Sequence, residues 1–226
     1  MKSNQENHIM TQYNEYIDHT LLRADASPDE ISKLCNEAIN YNFFSVCVNP
    51  SYIALAKEKL AGFNIKICTV VGFPLGQTFT KQKAYETKTS IRAGADEIDM
   101  VINIAELRNQ CACVVDEIRK LKKICGKRIL KVILETALLT DKEIELGCLA
   151  ALEGGAEFVK TSTGFSTRGA SLDDIKLMKK IVQDKILIKA AGGIKTAKEM
   201  ITMIEAGANR IGTSQGVTLM KELQQI

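Results

Sequence analysis

The chain has 226 residues, enough for one large domain or two small ones. Apolar residues make up 46% of it and charged residues 25%, a balance that excludes a disordered or low-complexity chain. The formal charge of +3 comes from 30 basic and 27 acidic residues that are well interspersed, and there is no tryptophan to stack on bases, so we expect no nucleic-acid partner.

The sequence has the features of neither a membrane protein nor a metalloprotein. No apolar run reaches the roughly 18 to 20 residues that cross a bilayer, and residues 1–16 lack the apolar core of a signal peptide, so we expect a cytoplasmic protein with no membrane partner. The seven cysteines include no C-x-x-C pair, and the two histidines have no metal-binding spacing. We therefore expect reduced thiols and no metal.

Short runs rich in β-branched residues alternate with longer stretches of helical period along the chain. Such alternation is typical of a parallel sheet with helices between its strands. The runs predict eight strands, at Ile17–Thr20, Phe44–Val48, Ile65–Val71, Glu97–Ile102, Ile129–Leu134, Phe158–Thr161, Ile186–Ala190 and Arg210–Gly212.

The junctions between these elements carry their own signals. Helix starts are marked by capping sequences at Ser27–Glu30, Thr140–Glu143, Ser171–Asp174 and Thr196–Glu199. A repeated glycine-alanine step ends a helix just before a strand at Ala93–Ile98, Gly154–Val159 and Ala206–Ile211. Eight such units without a dividing linker favour a single-domain (β/α)8 TIM barrel of the α/β class over residues 15–226, preceded by an N-terminal extension over residues 1–14. A doubly wound open sheet is the alternative.

Three ionisable residues stand where a barrel places its chemistry, at the C-terminal ends of the strands. They are Asp99, Lys160 and Lys189. Because side chains alternate along a strand, all three could point into the barrel mouth. Each taken alone could equally be a strand-end side chain that reaches into solvent, or half of an ordinary ion pair.

Two lysines and a carboxylate at one mouth are the groups that imine chemistry on a carbonyl requires. A lysine ordinarily titrates near ~10.4, and a second ammonium together with desolvation can lower its pKa by about three units, which frees the amine. The carboxylate would carry protons to and from the carbinolamine. We assign that role to Asp99, with Glu135 as the alternative.

Other residues near the strand ends are candidates for binding substrate. Asp18 and Thr20 could hold substrate hydroxyls, although Asp18 could also be a turn or cap residue. Cys47 could form a small apolar wall, and Thr163 could contact the substrate. Glycine-bearing turns after late strands would supply backbone N–H groups for a phosphate, at Gly164, Gly192, Gly193, Gly212 and Ser214.

Several separated motifs resemble those of the deoxyribose-phosphate aldolases, a family of class I, imine-forming aldolases with a (β/α)8 fold. The motifs span nearly the whole chain, at Asp18–Leu22, Val46–Pro50, Val71–Gly76, Gly94–Val101, Phe158–Gly164 and Lys189–Gly193. The resemblance implies that Lys160 forms the imine, that Lys189 perturbs it and that Asp99 relays protons. It also implies that the turns at Gly164, Gly192, Gly193 and Ser214 hold a substrate phosphate.

The reaction implied by the resemblance is the reversible cleavage of 2-deoxy-D-ribose 5-phosphate to D-glyceraldehyde 3-phosphate and acetaldehyde, in deoxyribonucleoside catabolism, with no metal or organic cofactor. A homodimer or homotetramer is expected from the family alone. The sequence departs from the pattern at Phe165, where some members carry a lysine, and Arg168 could supply the missing charge. It also has no C-terminal tyrosine of the kind that some relatives use.

Two other functions stay open. Another lysine-imine barrel, transaldolase-like or acting on hexose bisphosphates, would turn over larger sugar phosphates. A non-catalytic phosphate-binding barrel would bind sugar phosphates without forming an imine.

Overall fold

A computed structural model describes residues 13–109 and 111–225. Eight parallel strands form a closed barrel in sequential order, with β1 paired to both β2 and β8. The strands are β1 Ile17–Leu21, β2 Ser45–Val48, β3 Lys66–Val71, β4 Glu97–Val101, β5 Ile129–Ile133, β6 Phe158–Lys160, β7 Leu187–Ala191 and β8 Arg210–Thr213. The predicted (β/α)8 barrel is confirmed. The open sheet is excluded, because the first and last strands pair.

Nine helices are present in the described part of the chain, and they cover the outside of the barrel. They are α1 Pro28–Tyr41, α2 Ile53–Lys59, α3 Thr80–Ala93, α4 Ile104–Asn109, α5 Cys111–Cys125, α6 Asp141–Gly154, α7 Leu172–Val182, α8 Ala197–Glu205 and α9 Gly216–Leu223. Within the described residues, none of the helices has the length and apolar character that crossing a membrane requires.

The predicted helix caps form, with one difference. Ser27, Thr140 and Thr196 each close a full capping box with the glutamate three residues later. Ser171 caps α7 by accepting a hydrogen bond from the backbone N–H of Asp174, but that aspartate does not complete the box. Its carboxylate is engaged elsewhere, by Arg168 and Thr136, as described below.

Of the predicted N-terminal extension, residues 1–12 lie outside the described residues. Asn14 is buried, and its Nδ2 donates to the backbone oxygens of Tyr41 (3.1 Å) and Asn42 (2.8 Å). Tyr41 is the last residue of α1, and Asn42 begins the connection from α1 to β2. This part of the chain therefore packs at the N-terminal end of the barrel, opposite the mouth where the strands end.

The alternation of side chains along the strands separates an apolar layer from a charged barrel interior. On β4, Ile98 and Met100 join the hydrophobic core between the barrel and the helices, while Glu97 and Asp99 face the inside of the barrel. The outer layer supplies the apolar burial that stabilises the fold. The inner face is free to carry charge, and that is where the site lies.

Candidate active site

Seven charged side chains from six strands meet inside the barrel, and we call them the barrel charge cluster. Each is at most 5% exposed. They are the carboxylates of Asp18, Glu97 and Asp99 and the cations of Lys131, Lys160, Lys189 and Arg210. Buried charges of this number are tolerated only when each is paired, so the cluster forms one connected network.

Asp99 is the centre of this network. Its Oδ2 accepts hydrogen bonds from the Nζ of Lys160 (2.8 Å) and of Lys189 (2.9 Å), and its Oδ1 accepts from the Nζ of Lys131 (2.8 Å) and the Sγ of Cys68 (3.1 Å). Burial acts to raise the pKa of Asp99, but the three lysines together hold it well below its usual range. The carboxylate is therefore ionised.

Asp18 lies deeper than its predicted role as a ligand of substrate hydroxyls requires. It is fully buried, with its Oδ2 2.5 Å from the Nζ of Lys189, while its Oδ1 accepts from Arg210 (2.6 Å) and Ser45 (2.7 Å). Burial acts to raise its pKa, and the charges of Lys189 and Arg210 lower it below the usual range. The structure places Asp18 among the cations and not on the wall of a cavity.

Lys131 and Arg210 also belong to the cluster, although the sequence analysis did not identify them. Lys131 is fully buried in the middle of β5 and donates to Glu97 (2.6 Å) as well as to Asp99. Arg210 begins β8, and its guanidinium lies 3.4 Å from the ring centroid of Phe44, a cation–π contact. The signal that could have revealed Lys131 is a lone lysine inside an otherwise apolar strand.

The two lysines beneath the cavity are held as cations. Burial acts to lower the pKa of Lys189, but Asp18 and Asp99 outweigh it and the pKa is raised above the ordinary lysine value. The pKa of Lys131 is likewise raised well above that value: burial lowers it, and Asp99, Cys68 and Glu97 raise it more. Both groups therefore keep their protons at neutral pH.

Counting charges singles out Lys160. Three carboxylates face four cations, so one positive charge in the cluster has no negative counterpart. Lys131 and Lys189 each contact two or more carboxylates, whereas Lys160 contacts Asp99. The other three cations and the three carboxylates of the cluster balance one another.

A cavity of about 650 Å³ opens at the C-terminal ends of the strands. Of the three lysines on Asp99, Lys160 lines this cavity, while Lys131 and Lys189 lie beneath it. Lys160 is the group of the cluster that an incoming ligand would meet.

The predicted ligand-binding residues divide between the cavity wall and the interior beneath it. Those that line the cavity are Thr20, Thr163, Gly164, Gly192, Gly193, Gly212 and Ser214. Cys47 does not line it: the side chain is buried in a small apolar cluster with Leu22, Cys68 and Val70.

The late turns adopt a left-handed backbone conformation that favours glycine. Gly164, Gly192 and Gly193 have φ of +88°, +81° and +78°. A Cβ on Gly192 would lie 3.0 Å from the Cα of Gly169, so two turns pack backbone to backbone here. Lys195, which the sequence analysis did not single out, also lines the cavity just beyond these glycines.

Arg168 and Glu135, two residues considered from the sequence, are occupied elsewhere. Arg168 forms a two-point ion pair with Asp174 (2.5 and 3.1 Å) and is absent from the cavity lining. Glu135 bonds Thr163 and none of the cluster lysines.

Two groups of potential metal ligands lie close together inside the barrel. The ligand atoms of Cys47, Cys68 and Asp99 are within 4.8 Å of one another, as are those of Asp18, Cys68 and Glu97. Both groups share Cys68, whose pKa is raised well above the usual thiol value, first by burial. A protonated thiol is a poor metal ligand, and the three carboxylates of these groups already pair with lysine or arginine.

A (β/α)8 barrel that presents a lysine amine at its mouth, beside a buried carboxylate, places a nucleophile and a proton-transfer group where enzymes of this fold carry their active sites. Comparison with known proteins identifies the enzyme family. A model of the DeoC/LacD family aldolases matches residues 14–223, and the chain belongs to this family of aldolases.

Similar proteins span nearly the same length. A deoxyribose-phosphate aldolase of Mycoplasmoides gallisepticum is 64% identical over 212 residues, which cover 94% of this chain and 95% of that protein. One of Streptococcus mutans is 52% identical over 93% of this chain and 96% of that protein. Among solved structures, an aldolase called QR15 superposes with a TM-score of 0.90 at 36% identity, covering 94% of this chain and 96% of its own.

The pairing within the cluster predicts the stability of variants at Lys131. Lys131→Met leaves Glu97 without its shortest ion pair, so we expect the free energy of unfolding to fall by about 3–5 kcal/mol. The double variant Lys131→Met/Glu97→Gln removes one charge of each sign and should recover most of that loss. Guanidinium unfolding measures both.

Lys179→Met is the control, because it breaks an exposed ion pair with Asp184 and should change stability little. Equal stability of the single and double variants would show that charge pairing at Lys131 does not stabilise the barrel.

Proposed function

We propose that the chain cleaves 2-deoxy-D-ribose 5-phosphate reversibly to D-glyceraldehyde 3-phosphate and acetaldehyde through an imine on Lys160. The observation that carries the proposal is that Lys160 lines the cavity while bonded to a buried, ionised Asp99. The relatives named as deoxyribose-phosphate aldolases, at 52–64% identity, support the substrate.

The first step requires a free amine on Lys160. Because the cluster has one cation more than it has carboxylates, loss of this proton leaves no buried carboxylate unpaired. The amine attacks the C1 aldehyde of the open-chain sugar to give a carbinolamine. The carbinolamine takes up one proton, equivalent to the one that Lys160 released, and loses water to leave a protonated imine. The positive charge then returns to the position that it had in the resting cluster.

The second step breaks the carbon–carbon bond. The hydroxyl on C3 loses its proton, the C2–C3 bond breaks, and its electron pair moves toward the iminium nitrogen to form an enamine. D-Glyceraldehyde 3-phosphate leaves. Protonation of the enamine at C2 and hydrolysis of the imine release acetaldehyde and restore the amine of Lys160.

Protons in these steps pass through the groups around Asp99 Oδ2, which accepts from both Lys160 and Lys189. The low pKa of Asp99 means that it passes a proton on and does not retain it. Lys189 donates to the same oxygen as an ammonium, so it can give a proton to the reacting groups and take it back afterwards.

The phosphate end of the substrate would lie against the turns at Gly164, Gly192, Gly193 and Ser214, where backbone N–H groups can bind an anion. Lys195 supplies a cation on the same wall. Arg168, proposed from the sequence for this charge, is bound by Asp174. We therefore assign the charge to Lys195.

The sequence-level alternatives have weaker support. A transaldolase-like or hexose-bisphosphate enzyme and a non-catalytic phosphate-binding barrel both fit a (β/α)8 fold, but the named relatives point to deoxyribose phosphate. We extend the proposal to a role in deoxyribonucleoside catabolism. We also propose a homo-oligomer, since a deoxyribose phosphate aldolase from Aeropyrum pernix, 28% identical with a TM-score of 0.84, is tetrameric and covers 97% of each chain.

Reductive trapping tests the imine. We expect that acetaldehyde followed by borohydride places an ethyl group on Lys160, located by peptide mass spectrometry, because this amine alone in the cluster reaches the cavity. Lys160→Arg keeps the charge but cannot form the imine, and it is the control. Ethyl groups spread over surface lysines, with Lys160 unlabelled, would contradict the proposal.

The phosphate assignment predicts a selective effect at Lys195. We expect Lys195→Ala to raise KM for 2-deoxyribose 5-phosphate by about tenfold with little change in kcat, because one charge-assisted contact is lost. KM for unphosphorylated 2-deoxyribose should not change. Lys198→Ala, which removes the same charge from α8 outside the cavity lining, is the matched control. A selective rise in KM in Arg168→Ala, and not in Lys195→Ala, would move the assignment to Arg168.

A further inference from the structure

The loop that connects β6 to α7, residues 161–171, follows Lys160 directly and carries two cavity residues, Thr163 and Gly164. Its inner edge is fixed by β7. The backbone N–H of Thr161 donates to the oxygen of Lys189 (3.1 Å), and the Thr161 hydroxyl donates to the oxygen of Ala191 (3.2 Å). What fixes the part of the loop that faces the cavity is a different residue.

Glu135, two residues after the end of β5, fixes the part of the loop that faces the cavity. Its side chain is buried, and its Oε2 accepts hydrogen bonds from both the backbone N–H of Thr163 (3.2 Å) and the Thr163 hydroxyl. The Thr163 Oγ1 in turn accepts from the backbone N–H of Phe165 (3.1 Å). Gly164 therefore lies between two residues whose positions are set by one carboxylate.

The other oxygen of Glu135 makes no competing contact. Oε1 is buried and has no hydrogen-bond partner among the residues that the structure describes. The carboxylate forms no ion pair with Lys160, Lys189 or Lys131, because all three lysines pair with Asp99. Its hydrogen bonding is thus directed to the loop and not to the reacting lysine.

The backbone at Glu135 adopts a conformation that side-chain-bearing residues rarely take, with φ +60° and ψ +61°. This left-handed turn allows the next residue to bind the same loop, because the N–H of Thr136 donates to the oxygen of Thr161 (2.9 Å). The Thr136 hydroxyl donates to Asp174 (2.8 Å), which also holds Arg168. A strained backbone conformation persists only where the surrounding contacts enforce it, and such residues cluster at functional sites. The conformation of Glu135 therefore indicates a functional role for its side chain.

We propose that Glu135 is a positioning residue that sets Thr163 and Gly164 for the phosphate end of the substrate. The inference rests on the proposed function, since it assumes that the Gly164 turn receives a phosphate. Gly164 packs close to the Gly192 turn: a Cβ on Gly192 would lie 3.4 Å from the Gly164 Cα. Loss of the Glu135 contact would let one turn of the phosphate site move relative to the other.

Three variants separate the contact from the backbone strain and from proton transfer. Glu135→Gly removes the carboxylate and relieves the left-handed strain, whereas Glu135→Ala removes the carboxylate and keeps the strain. Glu135→Gln keeps an oxygen that can accept from Thr163 but cannot carry a proton as a carboxylate does. Asn42→Gly, at φ +51° on the opposite end of the barrel, is the matched control for strain relief.

We expect Glu135→Gly and Glu135→Ala to raise KM for 2-deoxyribose 5-phosphate by about tenfold, with kcat changed far less. Glu135→Gln should recover most of the wild-type KM. Glu135→Gly should melt at a higher temperature than Glu135→Ala while sharing its raised KM. Asn42→Gly should melt higher than wild type with an unchanged KM.

Two results would overturn the proposal. A folded Glu135→Gly protein with the wild-type KM would show that the carboxylate does not position the loop. An equal loss of kcat in Glu135→Gln and Glu135→Gly would show that the carboxylate takes part in proton transfer, as the alternative to Asp99.

Acetaldehyde carries no phosphate, so its borohydride trapping on Lys160 separates this proposal from the proposed function. Trapping that persists in Glu135→Gly, together with a raised KM for the phosphorylated sugar, supports the positioning role. Absence of trapping in the wild-type protein would count against the imine function itself. In that case, unchanged binding of 2-deoxyribose 5-phosphate to Glu135→Gly, measured by calorimetry, would overturn the positioning role independently.

Discussion

The ionised carboxylate of Asp99 is the contact on which the interior of this barrel depends. Three lysines and one thiol donate to its two oxygens. Without a buried negative charge at this point, three ammonium groups could not lie so close together away from water. Asp18 pairs in the same way with Lys189 and Arg210, and Glu97 pairs with Lys131. The charged interior and the apolar layer outside it are two faces of the same strands.

Charge balance distinguishes Lys160 from the other lysines of this network. Lys131 and Lys189 are each fixed by more than one carboxylate, and their pKa values are raised. Lys160 is at the cavity and contacts one carboxylate oxygen. Mutual repulsion of two lysines, considered from the sequence, is only part of the electrostatics. In the structure the carboxylates matter as well, because their pairing with Lys131 and Lys189 leaves Lys160 as the surplus cation.

Much of the fold could be predicted because the signals are local. Alternation along β4 separates Ile98 from Asp99, and a serine or threonine followed by glutamate three residues later marks helix starts, as at Thr196. Barrel closure followed from the number of units, and the pairing of β1 with β8 confirms it. Boundaries agree to within a residue or two, since strand ends depend on pairing as well as on composition.

The depth of a side chain inside the barrel could not be predicted in the same way. Asp18 and Thr20 lie two residues apart on one face of β1, yet Thr20 lines the cavity and Asp18 lies in the cluster below it. Which of them reaches the mouth depends on how the strands are staggered around the barrel. Lys131 does carry a local signal, as a lone lysine in an apolar strand, but its depth inside the barrel depends on the same stagger. The left-handed turn at Glu135 could not be predicted, because the residue is not a glycine.

The most direct test of the charge balance is the pH dependence of acetaldehyde trapping at Lys160. In Lys131→Met, three carboxylates face three cations, so the surplus positive charge of the cluster is gone. We expect half-maximal trapping to move to higher pH in this variant. In the double variant Lys131→Met/Glu97→Gln it should return to the wild-type pH. The same pH profile in all three proteins would contradict the role of the surplus charge.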